Sequence, residues 1–570
     1  MKIRRIASLA ASLAVGALVL TACSSGGETP SETSGSSEPT GVATSETATE
    51  GGSTGTVTAN GSEPQNPLIP TNTNETGGGK ILDLIFAGLE YYDASGAPKM
   101  EVADSITSDD NITWTIKLKD GWKFTDGTPV QAHNFVDAWN YGAYSPNAQL
   151  NGWWFAEIEG FDALQAPTDA EGNPTGDPAA KEMTGLTVVD DLTFTIKLTS
   201  ALADYPLRLG YSSFYPLPDV AFTDMAAFGE NPIGNGPYKV GTWTHNQDIT
   251  LTPNPDYTGD RVAQNGGVDL VFYPELDAAY ADLLAGNLDV IDAIPSSAFG
   301  SFESDLGDRA VNQPAAIFQS FTIPQNLKHW EGEEGKLRRA AVSHAINRAE
   351  ITDAIFNGTR TPASDFTSPV IAGWSDSVPG SDVLKYDPDT AKQLWAQADA
   401  ISPFEGTFTI AYNVDGGHQE WVDAVINSIK NVLGIDAAGQ QYAVFADLRT
   451  DVRAQKDTGT SGLTGGFRTG WQADYPGLFN FLGPLYATDA SSNDGGYSNP
   501  AFDELLTKGS SAASLEEANG FFQEAQTILF QDLPAIPLWY SNVTGGSAET
   551  VSNVEFGWNS VPLYYAITKA

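Results

Sequence analysis

A chain of 570 residues with a single cysteine cannot form an internal disulfide, so burial of apolar surface must hold it together. A chain of this length can bury large cores and is expected to divide into more than one domain. Its 72 Asp and Glu residues outnumber its 29 Lys and Arg residues, which gives a formal net charge of −43. This charge argues against nucleic acid and anionic lipid surfaces as partners. The simplest interpretation of the acidity is the solubility of an exported protein.

The cysteine, Cys23, stands at the end of a secretion signal. A positively charged start precedes an apolar run from Ile6 to Leu20, which is too short for a transmembrane helix. The residues Leu20-Thr21-Ala22-Cys23 resemble the lipobox of bacterial lipoproteins. The resemblance implies that residues 1–22 are a lipoprotein signal peptide and that Cys23 receives the lipid. An ordinary signal peptide with a chance cysteine is the alternative. We expect the protein at the outer face of the cell membrane, tethered by its lipid chains.

Residues 23–55 are predicted to be a disordered tether behind the lipidated cysteine. From Ser24 to about Gly55 the chain consists of Ser, Thr, Gly, Glu and Pro with almost no bulky apolar residues. Such a segment cannot bury enough surface to fold. A tether of this length favours a thick-walled bacterium without an outer membrane over a periplasm.

The rest of the chain mixes strand and helix patterns. Thr113 to Leu118 alternates as a strand does. Thr128-Pro129 is predicted to open a helix that carries Phe135 on its apolar face. Residues from Leu337 to Phe356 are predicted to form another helix. This mixture indicates α/β or α+β lobes, and excludes a helix bundle or a β-sandwich.

One motif and several ordered landmarks identify a family. Residues 113–141 read TWTIKLKDGWKFTDGTPVQAHNFVDAWNY, which resembles the signature of the family 5 bacterial solute-binding proteins. These are the oligopeptide- and dipeptide-binding lipoproteins of ABC importers. The landmarks in family order are Asn60-Gly61-Ser62-Glu63, Asn235-Gly236-Pro237-Tyr238, Asn254-Pro255-Asp256-Tyr257, Ala285-Gly286-Asn287-Leu288-Asp289, Ile346-Asn347-Arg348, Ser498-Asn499-Pro500 and Pro534-Ala535-Ile536-Pro537-Leu538. The resemblance covers roughly Thr56 to Ala570.

The resemblance implies an α/β fold of the periplasmic-binding-protein type, in its type II, cluster C form. Two lobes joined by a hinge close over the ligand. Residues 56–276 and 539–570 would form lobe I, with an inserted subdomain near 90–185, and residues 277–538 would form lobe II. Closure would couple ligand binding to an open–closed equilibrium.

The segment Arg468-Thr469-Gly470-Trp471-Gln472-Ala473-Asp474-Tyr475 provides the most telling binding motif. In the oligopeptide-binding branch, its aspartate accepts the ligand's α-ammonium and the arginine six residues earlier helps to neutralise the carboxylate of short peptides. Those positions are Asp474 and Arg468 in this chain. A dry cleft requires a fixed anion to hold an ammonium, whatever the family. The alternative for Asp474 is a turn cap before Pro476.

Further residues complete the predicted ligand-binding set. Trp471 and Tyr475 come from the same motif, and Trp471 is either a pocket wall or core. His418 stands where some oligopeptide binders place a histidine near the carboxylate of longer peptides, or is an ordinary histidine at a helix start. Trp153 and Trp154 lie in the predicted inserted subdomain, where relatives present aromatics to the cleft. A buried aromatic pair is the alternative.

Two departures from the family leave the ligand length open. Phe356 stands where relatives have a lysine. The segment from Asp451 to Gly466 is longer than in relatives, so Arg449 and Arg453 cannot be told apart by role.

No catalytic or metal-binding motif stands out. The chain's five histidines form no HxxxH or HExxH pair, and the glycines before Lys80 lack the spacing of a phosphate-binding loop. We expect no cofactor, no metal and no enzymatic activity.

The sequence therefore predicts a lipid-anchored, monomeric oligopeptide receptor that delivers its ligand to an ABC permease with separate ATPase subunits. One alternative keeps the fold and binds a sugar or another small solute. A more distant alternative is a surface glycosidase that uses its tryptophans as sugar platforms. The pairing of Asp474 with Arg468 favours peptides, because a sugar binder needs no carboxylate for an ammonium.

Replacement of the cysteine tests the anchor. Cys23→Ala should move much of the protein from the membrane fraction to the culture medium, because no other cysteine can accept a lipid. Fractionation and immunoblotting measure this shift, and peptide affinity of the released protein serves as the control. Unchanged membrane retention would contradict lipidation.

Overall fold

The computed structural model describes residues 54–169, 173–414 and 417–569. The predicted signal peptide, Cys23 and residues 23–53 of the predicted tether lie outside the described residues. Among the helices of the described ranges, none is both long enough and apolar enough to cross a membrane.

Helices lie along the whole described chain and become denser after residue 276. They are α1 (Thr76–Ile85), α2 (Ala132–Ala143), α3 (Tyr205–Arg208), α4 (Met225–Glu230), α5 (Leu276–Ala285), α6 (Phe302–Leu306), α7 (Gly332–His344), α8 (Arg348–Phe356), α9 (Pro388–Ile401), α10 (Gln419–Leu433), α11 (Phe445–Thr458), α12 (Leu478–Tyr486), α13 (Pro500–Ser510) and α14 (Leu515–Asp532).

Strands alternate with these helices, which confirms the predicted α/β class. They are β1 (Thr56–Gly61), β2 (Glu90–Tyr92), β3 (Pro98–Met100), β4 (Ala103–Thr107), β5 (Thr113–Leu118), β6 (Leu186–Asp190), β7 (Thr193–Lys197), β8 (Tyr238–Thr244), β9 (Asp248–Pro253), β10 (Gly267–Phe272), β11 (Val290–Ile291), β12 (Ala310–Thr322), β13 (Arg360–Pro362), β14 (Phe408–Asn413), β15 (Ala437–Tyr442), β16 (Gly466–Gln472), β17 (Ala535–Ser547), β18 (Val551–Ser552) and β19 (Thr568–Lys569).

One mixed sheet of eleven strands runs through the body of the described chain. Its order is β15-β14-β16-β12-β17-β11-β1-β10-β9-β8, and β13 pairs with β17 beside this path. Strands β14, β15 and β16 are parallel to one another, whereas β12 is antiparallel to both β16 and β17. The sheet therefore combines parallel pairs of the α/β type with antiparallel strands at its centre.

Two large apolar cores lie on this sheet, and they meet at β12. The first core takes residues from 57 to 315 and from the C-terminal segment, and the second takes most of its residues from 316 to 540. Ala315 belongs to the first core and Ala316 to the second. Between Pro314 and Phe318 the pairing of β12 with β17 shifts register, so a β-bulge lies where the cores change.

The same bulge holds the two other segments that approach the boundary between the cores. The N–H of Ala316 donates to the carbonyl oxygen of Trp558 at 3.1 Å. Its carbonyl oxygen accepts from the N–H of Ala473 at 2.9 Å. The C-terminal segment and the end of β16 are thereby fixed to one residue of the central strand.

The antiparallel sheet β4-β5-β7-β6 lies in the first part of the chain. The predicted strand from Thr113 to Leu118 is confirmed as β5. The predicted start of the next helix at Thr128-Pro129 is wrong, since α2 begins at Ala132. Pro129 instead forms a β-bridge with Lys123. The helix starts later because the Asn134 side chain accepts from the N–H of Gln131 at 2.7 Å and caps the first turn there.

The single helix predicted from Leu337 to Phe356 is also wrong at one point. The structure divides it into α7 and α8, with a break before Asn347, whose side chain accepts from the N–H of Glu350 and caps the second helix. The buried Arg348 donates to the carbonyl oxygens of Ser343, Leu384 and Pro537. These hydrogen bonds depend on the break between α7 and α8.

A substitution in the first core tests how much the packing under the four-stranded sheet stabilises the protein. Phe135 is fully buried against Trp139 and Phe194. Phe135→Ala should lower the free energy of unfolding by about 3–5 kcal/mol, through lost transfer energy and the cavity left behind. Urea unfolding followed by tryptophan fluorescence measures this change. Val188→Ala, at an exposed position of β6, is the control and should change it by less than about 0.5 kcal/mol; equal effects would contradict the packing described.

Candidate functional site

A cleft with an empty volume of about 1530 Å³, its solvent-filled mouth included, lies where the two cores meet. Its lining comes from segments 73–84, 91–93, 210–215, 472–474 and 557–565, together with Arg261. Leu84 and Tyr215 of the lining belong to the first core, whereas Ala473 and Trp558 belong to the second. The bulge at Ala316 holds the last two segments, so β12 determines the position of one wall of the cleft.

Asp474 projects into this cleft from the turn that follows β16. Its own N–H donates to Oδ1 of Asn480 at 3.0 Å, and Nδ2 of Asn480 donates to its Oδ2 at 3.1 Å. Asn480 also accepts from the indole Nε1 of Trp471 at 3.0 Å. This buried amide fixes the orientation of the carboxylate, while Oδ1 of Asp474 has no hydrogen-bond donor among the described residues.

The charge on Asp474 is not compensated inside the described chain. No Lys, Arg or His of the described residues lies within salt-bridge distance of its carboxylate. Burial raises the pKa of Asp474 above its ordinary value, and the hydrogen bond from Asn480 opposes this shift. An opposite charge that entered the cleft would stabilise the ionised form of this carboxylate.

A second carboxylate, Asp83, also lines the cleft. It lies within α1 among the buried side chains Ile81, Leu82 and Leu84. The hydroxyl of Tyr215 donates to its Oδ1 at 2.7 Å. Burial raises the pKa of Asp83, while the bond from Tyr215 and the charge of Arg261 oppose the rise.

The two basic residues of the cleft lining are already paired. Lys80 forms an ion pair with the buried Asp292. Arg261 holds Glu101 through two hydrogen bonds of 2.8 and 3.0 Å, and its remaining donors reach the carbonyl oxygens of Asp83 and Phe86. These cations therefore support the wall rather than offer an anion site.

Aromatic rings cover the rim of the cleft next to Asp474. Trp153 stacks on Trp154 with 4.6 Å between ring centroids, and Trp154 lies 4.5 Å from the ring of Tyr211, which lines the cleft. The two tryptophans differ in environment, because Trp154 is 6% exposed and Trp153 is 58% exposed. Trp154 therefore belongs to the core, and Trp153 extends the aromatic ladder into solvent.

Tyr475 and Trp471 flank Asp474 but have structural partners of their own. The hydroxyl of Tyr475 donates to Oδ2 of the buried Asp204 at 2.9 Å, and the guanidinium of Arg208 lies 5.5 Å from its ring. Trp471 is half-buried and bonded to Asn480. Tyr475 thus inserts from the end of β16 into the first core, across the boundary between the two cores.

Arg468 and His418 lie outside the lining of the cleft. Asn413 ends β14 and Phe445 follows β15, and these parallel strands end at the same edge of the sheet. Nε of Arg468 donates to Oδ1 of Asn413 at 2.8 Å, and its guanidinium lies 4.3 Å from the ring centroid of Phe445. His418 precedes α10, where its Nδ1 accepts from the indole of Trp421 at 3.1 Å.

The structure therefore does not bring the predicted binding residues into one pocket. Arg468 is four residues before Gln472 on β16, a separation of about 13 Å along an extended strand. Gln472 and Asp474 line the cleft, whereas Arg468 is not part of its lining. The two predicted charge partners therefore do not share this cleft.

Comparison with known proteins identifies the family. The model of the family described as bacterial extracellular solute-binding proteins, family 5 Middle, matches residues 97–493, which is more than half of the chain. The chain belongs to this family. Membership confirms the family suggested by the motif at residues 113–141.

Curated relatives of this family 5 protein match over most of their length. The periplasmic murein peptide-binding protein MppA of Escherichia coli is 26% identical over 479 residues, which are 81% of this chain and 83% of the relative. The periplasmic oligopeptide-binding protein OppA of Salmonella typhimurium is 26% identical over 472 residues, 80% of this chain and 81% of the relative.

Solved structures show that the family 5 protein has the predicted two-lobe fold. The unliganded open form of MppA superposes with a TM-score of 0.76 at 22% identity, covering 91% of this chain and 99% of the other. Haemophilus influenzae OppA in complex with the peptide RPPGFSPFR gives a TM-score of 0.66 at 21% identity, covering 90% and 99%.

Sequence reasoning missed several residues of the site in this family 5 protein. Asp83, Tyr211 and Asn480 were not predicted, although each contacts or supports the cleft. Only Asp83 had a local signal, since it is a charged residue in an otherwise apolar stretch of helix. Asn480 lies in the first turn of α12 and forms two hydrogen bonds with Asp474. The spacing of the two residues in the sequence does not reveal this contact.

Removal of the Asn480 amide tests how the Asp474 turn is held. Asn480→Ala should lower the free energy of unfolding by about 1–3 kcal/mol, because the Trp471 indole and the Asp474 N–H would lose their acceptor. Chemical denaturation measures the loss. Asn287→Ala, at an exposed asparagine, is the matched control and should stay within about 0.5 kcal/mol of the parent. A loss no larger than the control's would mean that the turn does not depend on Asn480.

Proposed function

We propose that this chain is a lipid-anchored, extracellular solute-binding protein of an ABC importer that binds oligopeptides between two lobes and delivers them to the permease. The observation that carries the proposal is Asp474, a fixed and half-buried carboxylate without a counter-ion among the described residues. A peptide's α-ammonium supplies that missing charge. The names of the relatives, which are peptide- and oligopeptide-binding proteins, agree with this choice.

The ligand's other end would meet Arg468. Its guanidinium is oriented by Asn413 and stacked over Phe445, so little conformational entropy is lost when it binds a carboxylate. The chain between Asp474 and Arg468 is extended over most of its length. A peptide lying along β16 would span from one charge to the other, with Trp471 as a wall and His418 near the far end for longer ligands. Trp153 would cover the amino end, and Tyr475 would brace Asp474 against the first core.

Closure would occur about the central strands. The family resemblance gives lobes at residues 56–276 with 539–570 and at residues 277–538, with an inserted subdomain near 90–185. The two apolar cores change between Ala315 and Ala316, so we propose the hinge there rather than at residue 276. Strands β12 and β17 cross between the two cores, and the bulge at Ala316 interrupts their pairing there. A bulge is a point at which a strand bends without loss of the flanking ladder, so it is suited to act as a hinge. A ligand that bridges both lobes would shift the open–closed equilibrium towards the closed state.

The remaining parts of the proposal follow from the N-terminal sequence and the family. Cys23 would carry the lipid, and residues 24–55 would hold the folded body away from the membrane. The protein would act as a monomer and a binding protein rather than an enzyme, and ATPase subunits of the importer would supply the energy for transport.

Substitution of Asp474 tests the capture of the ammonium. Asp474→Asn keeps the shape and removes the charge, so the affinity for a free tetrapeptide such as tetra-alanine should fall. A charge-assisted hydrogen bond contributes about 1.5–3 kcal/mol, and we use this range because Asp474 is only half-buried. The dissociation constant should therefore rise by about one to two decades. Isothermal titration calorimetry measures it.

The N-acetylated peptide provides the control for this experiment. It lacks the ammonium, so it should bind the parent weakly and lose little further affinity in Asp474→Asn. The four combinations form a double-mutant cycle that isolates the pair. If the substitution weakens both peptides equally, Asp474 is a structural turn residue. If tetra-alanine does not bind the parent protein at all, the peptide assignment itself is wrong.

A further inference from the structure

We infer that the cleft contains a second cation subsite at Asp83, which selects peptides with a basic side chain at the first or second residue. This inference rests on the proposed function and narrows its substrate class. The reason is that two carboxylates in the cleft have no counter-charge among the described residues.

Within the part of the chain that the structure describes, six charged side chains line the cleft, and four of them are compensated locally. Lys80 is paired with Asp292, and Arg261 with Glu101. Glu75 caps α1 by accepting from the N–H of Gly78. Asp93 accepts from the N–H groups of Ser95 and Ala97 in its own turn, and Lys99 lies 3.3 Å from it.

Asp83 and Asp474 are the other two. Within the described ranges, neither carboxylate takes part in a salt bridge. Asp83 accepts one neutral hydrogen bond, from Tyr215, and its Oδ2 has no donor among the described residues. Arg261 donates to the carbonyl oxygen of Asp83 rather than to its carboxylate, and it has Glu101 to neutralise, so this wall keeps a net negative charge.

The two carboxylates belong to one site. Tyr211 lines the cleft. Burial is the main reason why the pKa of its phenol is raised, and the negative charges of Asp474 and Asp83 both raise it further. Tyr92 and Tyr215 complete the aromatic wall on this side. Aromatic faces tolerate a cation, whereas they offer nothing to an anion. The wall thus suits an aliphatic chain that ends in a positive charge.

A buried and unsatisfied phenol on the same cleft also points to a missing ligand group. Tyr564 is 1% exposed and lines the cleft, and its Oη has no hydrogen-bond partner among the described residues. Buried polar groups without a partner are rare in folded proteins. A polar ligand that enters the cleft can satisfy such a group.

Closure of the cleft would remove water, so the number of positive charges on the ligand would determine how well it binds. A ligand with one ammonium would neutralise Asp474 and leave Asp83 enclosed without a counter-charge, which is unfavourable in a water-poor site. A ligand with a second cation would neutralise both. A second carboxylate therefore discriminates between peptides by charge, without a pocket that fits one side chain.

The test compares four tetrapeptides by calorimetry with the parent protein and with Asp83→Asn. They are tetra-alanine, the same peptide with lysine at position 1, with lysine at position 2, and with acetylated lysine at the position that binds more tightly. The better lysine peptide should bind the parent at least about tenfold more tightly than tetra-alanine and its acetylated form. Asp83→Asn should abolish this advantage. It should bind tetra-alanine at least as tightly as the parent does, because no uncompensated charge is then enclosed with that peptide.

Asp93→Asn is the matched control, because it removes one charge from the same cleft at a carboxylate that is already engaged. It should retain the lysine advantage, which separates local pairing from the general attraction of an acidic protein for cations. Equal affinity of the parent for lysine and acetyl-lysine peptides would overturn the second subsite, even if the variant proved unstable. A lysine advantage unchanged in Asp83→Asn would also overturn it. If none of the peptides binds the parent, the proposed function fails and this inference fails with it.

Discussion

The backbone of Ala316 is the point on which the arrangement of the cleft depends. It lies in a bulge of the central strand β12, where one apolar core gives way to the other. Its N–H holds Trp558 and its carbonyl oxygen holds Ala473. Both partners line the cleft. A single residue of β12 therefore fixes two of the segments that line it. A shift of β12 at this bulge would move both segments together.

The two uncompensated carboxylates of the cleft, Asp83 and Asp474, make the free energy of unfolding depend on pH. Burial raises the pKa of Asp83 and of Asp474 in the folded protein. The folded state therefore holds these protons more tightly than the unfolded chain does. As the pH rises from the ordinary value of a carboxyl group through the raised one, the contribution of each group to the free energy of unfolding falls. Ionisation of both carboxylates is therefore less favourable in the folded protein than in the unfolded chain.

Several elements could be predicted because local patterns determine them. The alternation from Thr113 to Leu118 is that of β5 as observed. The two errors have one cause. Asn134 and Asn347 each cap a helix at a place where the apolar pattern alone predicted a different boundary. A cap is set by one side chain and the turn around it, and periodicity does not register it.

The sequence by itself determined the α/β class and the family, because these depend on local periodicity and on ordered motifs, and it drew attention to the segment around Asp474. Only the tertiary structure decided which charged groups remain without a partner. Nothing in the sequence tells whether Lys80, Arg261 or Asp83 has a partner. Their partners Asp292, Glu101 and Tyr215 are distant along the chain and reach them only in the folded protein. Charge compensation in a cleft is a property of three-dimensional neighbours, and among the described residues it leaves Asp83 and Asp474 without a counter-charge in the cleft.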